Sequence, residues 1–141
     1  MIRPATKKDI KEIYDLIVEL ENKEFPYEQF KEKFLINLYN PNNYYFLYQQ
    51  DNKTIAFISL HIKDYLHHQN KTGEIAELVV HKDYTNKHIG KELLEYVEQL
   101  AKTLNLEELE LCTSTWRKDA QRFYETNNYK PDHINYRKQL Q

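Results

Sequence analysis

Residues 73–94 are the part of the sequence that most restricts how this chain can fold. They begin with GEIAELVV, a short and mostly apolar run with β-branched residues, which is typical of a buried strand. The polar sequence HKDYTNKHIG follows and predicts a loop. An amphipathic helix comes next, and its predicted apolar stripe consists of Leu93, Leu94, Val97, Leu100, Ala101 and Leu104. This part of the chain therefore predicts a strand, a loop and a helix in direct succession.

The loop in this succession predicts a site for an anion. The first N–H groups of a helix lack intrahelical acceptors, and the helix dipole favours negative charge beside them. A loop that holds phosphate closely needs small residues, and within residues 85–90 only Gly90 is small. The Gly-Lys-Ser/Thr ending of a P-loop is absent, so nucleotide hydrolysis is not predicted.

Two carboxylates, Glu74 and Glu77, lie inside the otherwise apolar strand. An acid in a buried strand is unfavourable unless it is paired, solvated by a cleft or used in chemistry. Residues three apart in a regular strand face opposite sides, and a β-bulge would bring both carboxylates to one side. The pair is therefore a candidate for acid–base chemistry, with a solvated carboxylate at the end of a strand as the alternative for each.

The rest of the chain predicts a mixed α/β (α+β) fold. The predicted strands cover residues 2–5, 44–50, 54–62, 73–80, 108–111 and 129–138, and the predicted helices lie within residues 10–18, 30–38, 91–104 and 117–127. The order is β-α-α-β-β-β-α-β-α-β. Hairpin strands followed by a β-α-β unit imply a mixed sheet with helices on both faces.

Length and charge narrow the class of protein. The chain has 141 residues, which predicts one domain over residues 1–141 with a single core. A net charge of −2 argues against non-specific binding to nucleic acid. No apolar run approaches the length of a membrane span, and the N-terminus lacks a secretory signal pattern. We therefore expect a cytoplasmic protein that binds neither nucleic acid nor membranes, and the sequence leaves open whether it forms a homodimer.

The loop and its neighbours have the form of a known motif. A strand ending in LVV is followed by Thr85, His88 and Gly90 at fixed spacing. This arrangement resembles motif A of the GNAT superfamily of N-acetyltransferases, whose loop pattern is Gln/Arg-x-x-Gly-x-Gly/Ala. In that register Thr85 takes the Gln/Arg position, His88 the first Gly and Gly90 the last small residue. The resemblance implies that the loop binds the pyrophosphate of acetyl-CoA.

A second motif lies near the end of the chain. The run Ala120-x-x-Phe123-Tyr124 resembles the closing motif of the same superfamily, Ala-x-x-Phe-Tyr-x-x-x-Gly-Phe. Asn128 stands at the usual Gly, and Arg117 stands where Asn is common. The resemblance implies a GNAT fold, with a mixed, mostly antiparallel sheet and a splayed central strand pair that admits acetyl-CoA.

Matches to one group within the superfamily extend over nearly every predicted element. They include RPAT at residues 3–6, LHH at 66–68, GEI-x-ELVV at 73–80 and DA-x-RFY at 119–124. These runs resemble the bacterial aminoalkylphosphonate N-acetyltransferases. The resemblance implies transfer of an acetyl group from acetyl-CoA to the primary amine of a small anionic acceptor, either an aminoalkylphosphonate or an amino-acid-like molecule.

The resemblance also implies roles for three catalytic residues. An alkylamine has a pKa of about 10, so it arrives protonated and needs a base before it can attack. Glu74 matches the general base of the histone-acetylating members and is our first choice, and Glu77 is the second. Tyr124 matches the tyrosine that protonates the departing CoA thiolate, although a core aromatic is the ordinary interpretation of such a residue. A backbone N–H near Val79 or Val80 would stabilise the oxyanion.

The binding residues are predicted from the same motifs. Those assigned to acetyl-CoA are Leu78, Val79, Val80, Thr85, Asn86, Lys87, His88, Ile89, Gly90, Lys91, Arg117, Ala120 and Tyr124. Those assigned to the acceptor are Glu24, Phe25, Tyr27, His67 and His68. Arg3, Arg117 and Lys118 are further cations that could bind the anionic group of the acceptor.

Three histidines leave two interpretations open. His61, His67 and His68 lie close in sequence to Glu74 and Glu77 and offer nitrogen ligands for a divalent metal. We favour the other interpretation, a polar loop at the substrate entrance, and predict no metal site.

The degenerate loop also leaves a second class of function open. With Thr85 and His88 in place of the usual motif residues, the chain could be a catalytically silent CoA-binding sensor or partner module. A transferase for polyamines or free amino acids is the third alternative.

Overall fold

The computed structural model describes residues 1–85 and 87–141 and contains two compact units, Met1–Glu110 and Leu111–Gln141. The first unit contains strands β1 Ile2–Pro4, β2 Asn43–Gln50, β3 Lys53–Lys63, β4 Thr72–Val80 and β5 Leu109–Glu110, with helices α1 Ile10–Glu21, α2 Tyr27–Leu38 and α3 Ile89–Thr103. The second unit contains helix α4, Lys118–Thr126. The expectation of a single domain over residues 1–141 stays a prediction.

The five strands form one mixed sheet in the order β1-β2-β3-β4-β5. The first four pair antiparallel, and β4 pairs parallel with β5. The β2–β3 hairpin turns at Asp51 and Asn52, whose φ angles of 51° and 60° are those of a type I′ turn. The predicted mixed and mostly antiparallel sheet is confirmed.

Helices cover both faces of this sheet, as predicted. On one face Ile13 of α1 and Phe34 of α2 pack in a buried cluster with Phe57 of β3. On the other face the ring of Phe46 in β2 meets the ring of Tyr96 in α3, with 4.9 Å between their centroids. The apolar stripes of the helices therefore bury both sides of the central strands.

Strand β4 contains a β-bulge at Ala76. Glu77 pairs with Ser59 of β3 and Ile75 pairs with Leu60, so Ala76 has no partner across the ladder. The extra residue breaks the regular alternation of side chains along β4.

The bulge brings Glu74 and Glu77 to the same face of the sheet. Glu74 pairs with His61, and Glu77 pairs with Ser59. Ser59 and His61 are two residues apart on β3 and share the face of Phe57, which packs against α1 and α2. Both carboxylates therefore belong to this face, through the bulge that the sequence analysis required.

The parallel pairing of β4 with β5 is very short. It joins only Gly73 to Leu109 and Glu74 to Glu110. Beyond Glu74, the outer edge of β4 has no ladder partner among residues 1–85 and 87–141. The predicted splay of the central strand pair is thus present, and it begins directly after Glu74.

Gly73 allows the close approach of these two strands. A Cβ atom at this position would lie 2.8 Å from Leu109 Cδ2 and 2.8 Å from Leu60 Cδ1. Real Cβ contacts are longer than this, so any larger residue would displace one of the two leucine side chains.

One predicted strand is wrong. The structure has no strand over residues 129–138, and β5 is shorter than the predicted 108–111. The apolar side chains Ile134 and Tyr136 are 76% and 86% exposed, so this part of the chain gains no burial from an extended conformation. Among the described helices, none combines the length and apolar character that a membrane span requires.

Candidate functional site

A cavity of about 180 Å³ lies in the first unit between the sheet and helices α1 and α2. Its apolar wall consists of Ile13, Ile17, Phe30, Phe34 and Phe57. Its polar lining consists of Lys33, Asn37, Tyr45, His61 and Glu77. The cavity therefore combines an apolar wall with a small group of convergent polar side chains, which is typical of a site for a small molecule.

Ser59 fixes the carboxylate of Glu77 at this cavity. The Ser59 hydroxyl donates to Glu77 Oε1 at 2.5 Å and accepts from the Glu77 backbone N–H at 2.9 Å. Ser59 is fully buried, whereas Glu77 is only half-buried. One Glu77 oxygen is therefore held by a hydrogen bond, and the carboxylate keeps acceptor capacity for a ligand.

A tyrosine and a histidine stand beside this carboxylate. The Tyr45 hydroxyl lies 3.3 Å from His61 Nε2. Burial, together with the charge of Glu77, raises the pKa of Tyr45 to about 12. The phenol therefore stays protonated at neutral pH and can hydrogen-bond to the imidazole.

Glu74 occupies a different place on the same face. Its Oε1 lies 3.7 Å from Lys63 Nζ, and its side chain is 33% exposed. Glu74 pairs with His61 across the strands, but it does not line the cavity. Of the two predicted carboxylates, Glu77 is the one that the structure places at the cavity.

The outer edge of β4 presents backbone N–H groups. The His81 N–H donates to the Ile55 carbonyl at 2.7 Å. Because hydrogen-bonded pairs alternate along an antiparallel ladder, the Val79 N–H also points towards β3. The N–H groups of Leu78 and Val80 then point to the outer edge. Of the two donors predicted for the oxyanion, Val80 has the suitable direction and Val79 does not.

The loop after β4 ends in an unusual backbone conformation. His88, the residue before α3, has φ 60° and lies in the left-handed region. This is the position of the first motif glycine, and histidine is among the residues that tolerate this region. Helix α3 then begins at Ile89, and the N–H groups of Ile89, Gly90 and Lys91 lack intrahelical acceptors. Of the predicted loop residues, Asn86 lies outside the described residues.

The second unit carries the remaining catalytic candidate, Tyr124 of α4. Burial raises the pKa of Tyr124, although the charge of Arg117 opposes this. The Tyr124 carbonyl accepts from the Tyr129 N–H at 3.0 Å, and Asn128 between them has φ 71°. Asn128 thus supplies the left-handed residue after α4 where the motif has glycine.

Three residues predicted to bind the acceptor, Glu24, Phe25 and Tyr27, lie outside the cavity lining. Phe25 and Tyr27 pack edge-on against the ring of Tyr14, with centroids 6.0 and 5.1 Å away. The Tyr14 hydroxyl donates to the Phe25 carbonyl at 2.5 Å, and Glu24 is exposed. None of these three predicted residues lines the cavity.

His67 and His68 belong to the loop between β3 and β4. His68 Nδ1 lies 2.6 Å from Glu107 Oε2, and this hydrogen bond raises the pKa of His68. The ring of His67 is tilted by 45° against the ring of His68, with 4.4 Å between their centroids. Within residues 1–85 and 87–141, no three His, Cys, Asp or Glu side chains come together in a way that could hold a metal ion.

The sequence analysis missed Tyr45 and two further polar residues of the cavity, Lys33 and Asn37. The signal for Lys33 and Asn37 was present, because Phe30, Lys33, Phe34 and Asn37 follow the i, i+3, i+4, i+7 spacing of one helix face. A lysine and an asparagine on the inward stripe of a helix are reasons to expect a cavity there. Arg3, by contrast, forms a salt bridge of 2.8 Å with Asp9.

Comparison with known proteins decides the family. Residues 10–129 match the Acetyltransferase (GNAT) family. The chain belongs to this family. It is 40% identical over 139 residues to an aminoalkylphosphonate N-acetyltransferase of Salmonella typhimurium, covering 99% of this chain and 90% of the relative. The expected enzyme class, an acyltransferase of GNAT type, is confirmed.

Other relatives match more weakly or in fold alone. An amino-acid acetyltransferase of Escherichia fergusonii is 33% identical over 113 residues, which are 80% of this GNAT chain and 24% of that protein. A crystal structure of a transcriptional regulator from Bacillus halodurans has a TM-score of 0.92 at 20% identity over 99% of both chains. Glucosamine-6-phosphate N-acetyltransferase from Arabidopsis thaliana has a TM-score of 0.83 at 21% identity, covering 100% of this chain and 98% of that one. These two structures support the GNAT fold.

We predict that Ser59→Ala lowers the free energy of unfolding by about 1–3 kcal/mol, measured by urea denaturation. The substitution removes both hydrogen bonds to Glu77 and leaves a buried N–H without this acceptor. The matched control is Ser114→Ala, an exposed serine whose loss should change stability by less than about 0.5 kcal/mol. In a Glu77→Gln background the Ser59→Ala loss should be smaller, and equal losses in both backgrounds would argue against the coupling.

Proposed function

We propose that this GNAT protein transfers the acetyl group of acetyl-CoA to the primary amine of a small anionic acceptor, an aminoalkylphosphonate or an amino-acid-like molecule. The observation that carries the proposal is the position of Glu77. It is a carboxylate on the splayed strand, and it lines a small cavity beside a strand edge that has no ladder partner beyond Glu74 among the described residues. The name of the Salmonella relative supports the phosphonate, and the amino-acid acetyltransferases support the second acceptor class.

Acetyl-CoA is the donor that GNAT acetyltransferases use, and strand β4 offers it a binding edge. The thioester arm would lie along the outer edge of β4 beyond Glu74, where the ladder has ended. The N–H group of Val80 or Leu78 would donate to the oxyanion that forms when the amine attacks. The pyrophosphate would lie at the start of α3, where the N–H groups of residues 89–91 lack intrahelical acceptors.

The remaining donor contacts stay predictions from the motifs. They involve Thr85, Asn86, Lys87 and His88 of the loop, with Arg117, Ala120 and Tyr124 in the second unit. His88 supports this assignment because its left-handed backbone keeps the geometry that the motif obtains from glycine.

Glu77 is the base that the geometry favours. It must take one proton from the ammonium of the acceptor, directly or through a water, before the nitrogen attacks the thioester carbon. Ser59 holds one Glu77 oxygen, and His61 lies at the same cavity with Tyr45 beside its imidazole. Glu74, the first choice from the resemblance, stays the alternative because it lies on the same face.

Tyr124 is the proposed acid. When the tetrahedral intermediate collapses, the carbon–sulfur bond breaks and the CoA thiolate takes a proton from the phenol, and the nitrogen of the new amide then gives its extra proton to the phenolate. Burial raises the pKa of Tyr124 above its ordinary value of about 10, so the phenol, like an exposed tyrosine, is protonated at neutral pH and has a proton to give. We also propose, from sequence alone, a cytoplasmic location, and we keep a homodimer as a state to be measured.

We predict that Glu77→Gln lowers kcat/KM by about 10²–10⁴-fold and that Glu74→Gln lowers it far less, in steady-state assays at neutral pH. The loss in Glu77→Gln should shrink as the pH approaches the amine pKa of about 10, because the acceptor then arrives deprotonated. The reverse order of the two variants would make Glu74 the base. Wild-type rates in both would exclude this mechanism.

We predict that Tyr124→Phe lowers kcat by about 10²-fold while the dissociation constant of acetyl-CoA, measured by calorimetry, stays nearly unchanged. The variant keeps the ring and loses only the proton that the thiolate needs. Tyr136→Phe is the matched control, because Tyr136 is 86% exposed in the same unit. A variant with normal kcat would show that another group, or water, protonates the thiolate.

The proposed reaction itself is tested by thiol release from acetyl-CoA with a panel of amines. We expect turnover with aminoalkylphosphonates or α-amino acids, little with polyamines, and no change with a chelator. An enzyme blank corrects for the exposed thiol of Cys112. Calorimetric binding of acetyl-CoA without thiol release for any amine would instead support the silent CoA-binding module.

A further inference from the structure

The cavity has a cation on the side opposite to Glu77. Lys33 and Asn37 lie one helical turn apart on α2, and both line the cavity. The same two residues also line a wider surface hollow with Gln29, Glu32 and Ile36. They therefore stand at the mouth of the cavity, where α2 meets solvent.

Lys33 differs from Lys63 and Arg3, two other cations of the first unit, in having no acidic partner among the described residues. No carboxylate among residues 1–85 and 87–141 forms an ion pair with its ammonium. In contrast, Lys63 is 3.7 Å from Glu74, and Arg3 is 2.8 Å from Asp9. Of these three cations, only Lys33 is available to a ligand in the cavity.

The wall between the two charges is apolar. Phe30 and Phe34 stack with a centroid distance of 6.2 Å, and Phe57 continues the wall on the sheet side. Such a wall suits an alkyl chain, and it strengthens charge interactions at both ends because it excludes water. The cavity volume of about 180 Å³ equals roughly six water volumes, so the occupant is small.

This arrangement of charges is complementary to a zwitterion. An ammonium group is attracted to Glu77, an anionic group is attracted to Lys33, and a short alkyl chain fills the apolar space between them. Building on the proposed function, we infer that Lys33 binds the phosphonate or carboxylate of the acceptor at the cavity mouth. One N–H of Asn37 Nδ2 donates to the Lys33 carbonyl at 2.8 Å, and the other is a second donor for the same anionic group. Lys33 is thereby the residue that selects acceptors with an anionic group over amines that lack one.

The test compares Lys33→Met with Lys31→Met, which removes an exposed lysine of the same helix that does not line the cavity. Each is assayed with an aminoalkylphosphonate, an amino acid and an alkylamine of equal length that lacks an anionic group. For Lys33→Met we expect KM to rise about tenfold or more for the anionic acceptors, because a charged hydrogen bond is lost. KM should be unchanged for the alkylamine without an anionic group and for acetyl-CoA.

Two further results support or overturn the inference. Lys33→Arg should keep most of the affinity for anionic acceptors, because it retains the charge at the mouth. The inference is wrong if Lys33→Met has the wild-type KM both for anionic acceptors and for the amine without an anionic group. It is also wrong if Lys31→Met raises KM for the anionic acceptors as much as Lys33→Met does. In either case the proposed acetyl transfer still stands. If the wild type acetylates none of the amines, it is the proposed function that fails.

Discussion

The pairing of β3 with β4 across the Ala76 bulge is the constraint on which the rest of the site depends. A regular ladder would direct Glu74 and Glu77 to opposite faces, and a carboxylate among the side chains under α3 would be severely unfavourable. The single extra residue turns Glu77 towards α1 and α2, and the buried Ser59 hydroxyl then fixes both its backbone and its side chain. One local irregularity of the backbone thus provides the acidic side chain that lines the cavity.

At two positions the chain has the left-handed backbone conformation of the GNAT motifs without the glycine that usually adopts it. His88 and Asn128 stand where the GNAT motifs have glycine, and both have φ angles in the left-handed region, 60° and 71°. Holding a residue other than glycine there costs about 1–2 kcal/mol, and Asn and His tolerate the region better than most residues. The departures from the motif therefore change side chains at the loop and after α4, while the turns themselves persist.

Much of this architecture could be predicted from sequence, because it depends on local patterns. The apolar, β-branched run and the helical periodicity in residues 73–104 indicated β4 and α3, and the spacing of two acids showed that only a bulge would bring both to one face. The bulge at Ala76 could not be located, since it is a mismatch of register between two strands and depends on Ser59, far away in sequence. Lys33 was missed for a similar reason, because its position at the cavity follows from how α2 packs against the sheet. The strand expected at residues 129–138 was wrong because pattern alone does not provide a partner for hydrogen bonds.

The short pairing of β4 with β5 has a consequence for pairing between strands of different molecules. A strand whose outer edge carries unsatisfied N–H and C=O groups is a template on which a strand of another molecule can add, and long flat edges of this kind promote aggregation. Here the edge is interrupted by the bulge at Ala76 and flanked by the charge of Glu74. The same bulge that turns Glu77 towards the cavity also makes β4 a poor surface for intermolecular sheet growth, so the position of this carboxylate and protection from self-assembly come from a single residue.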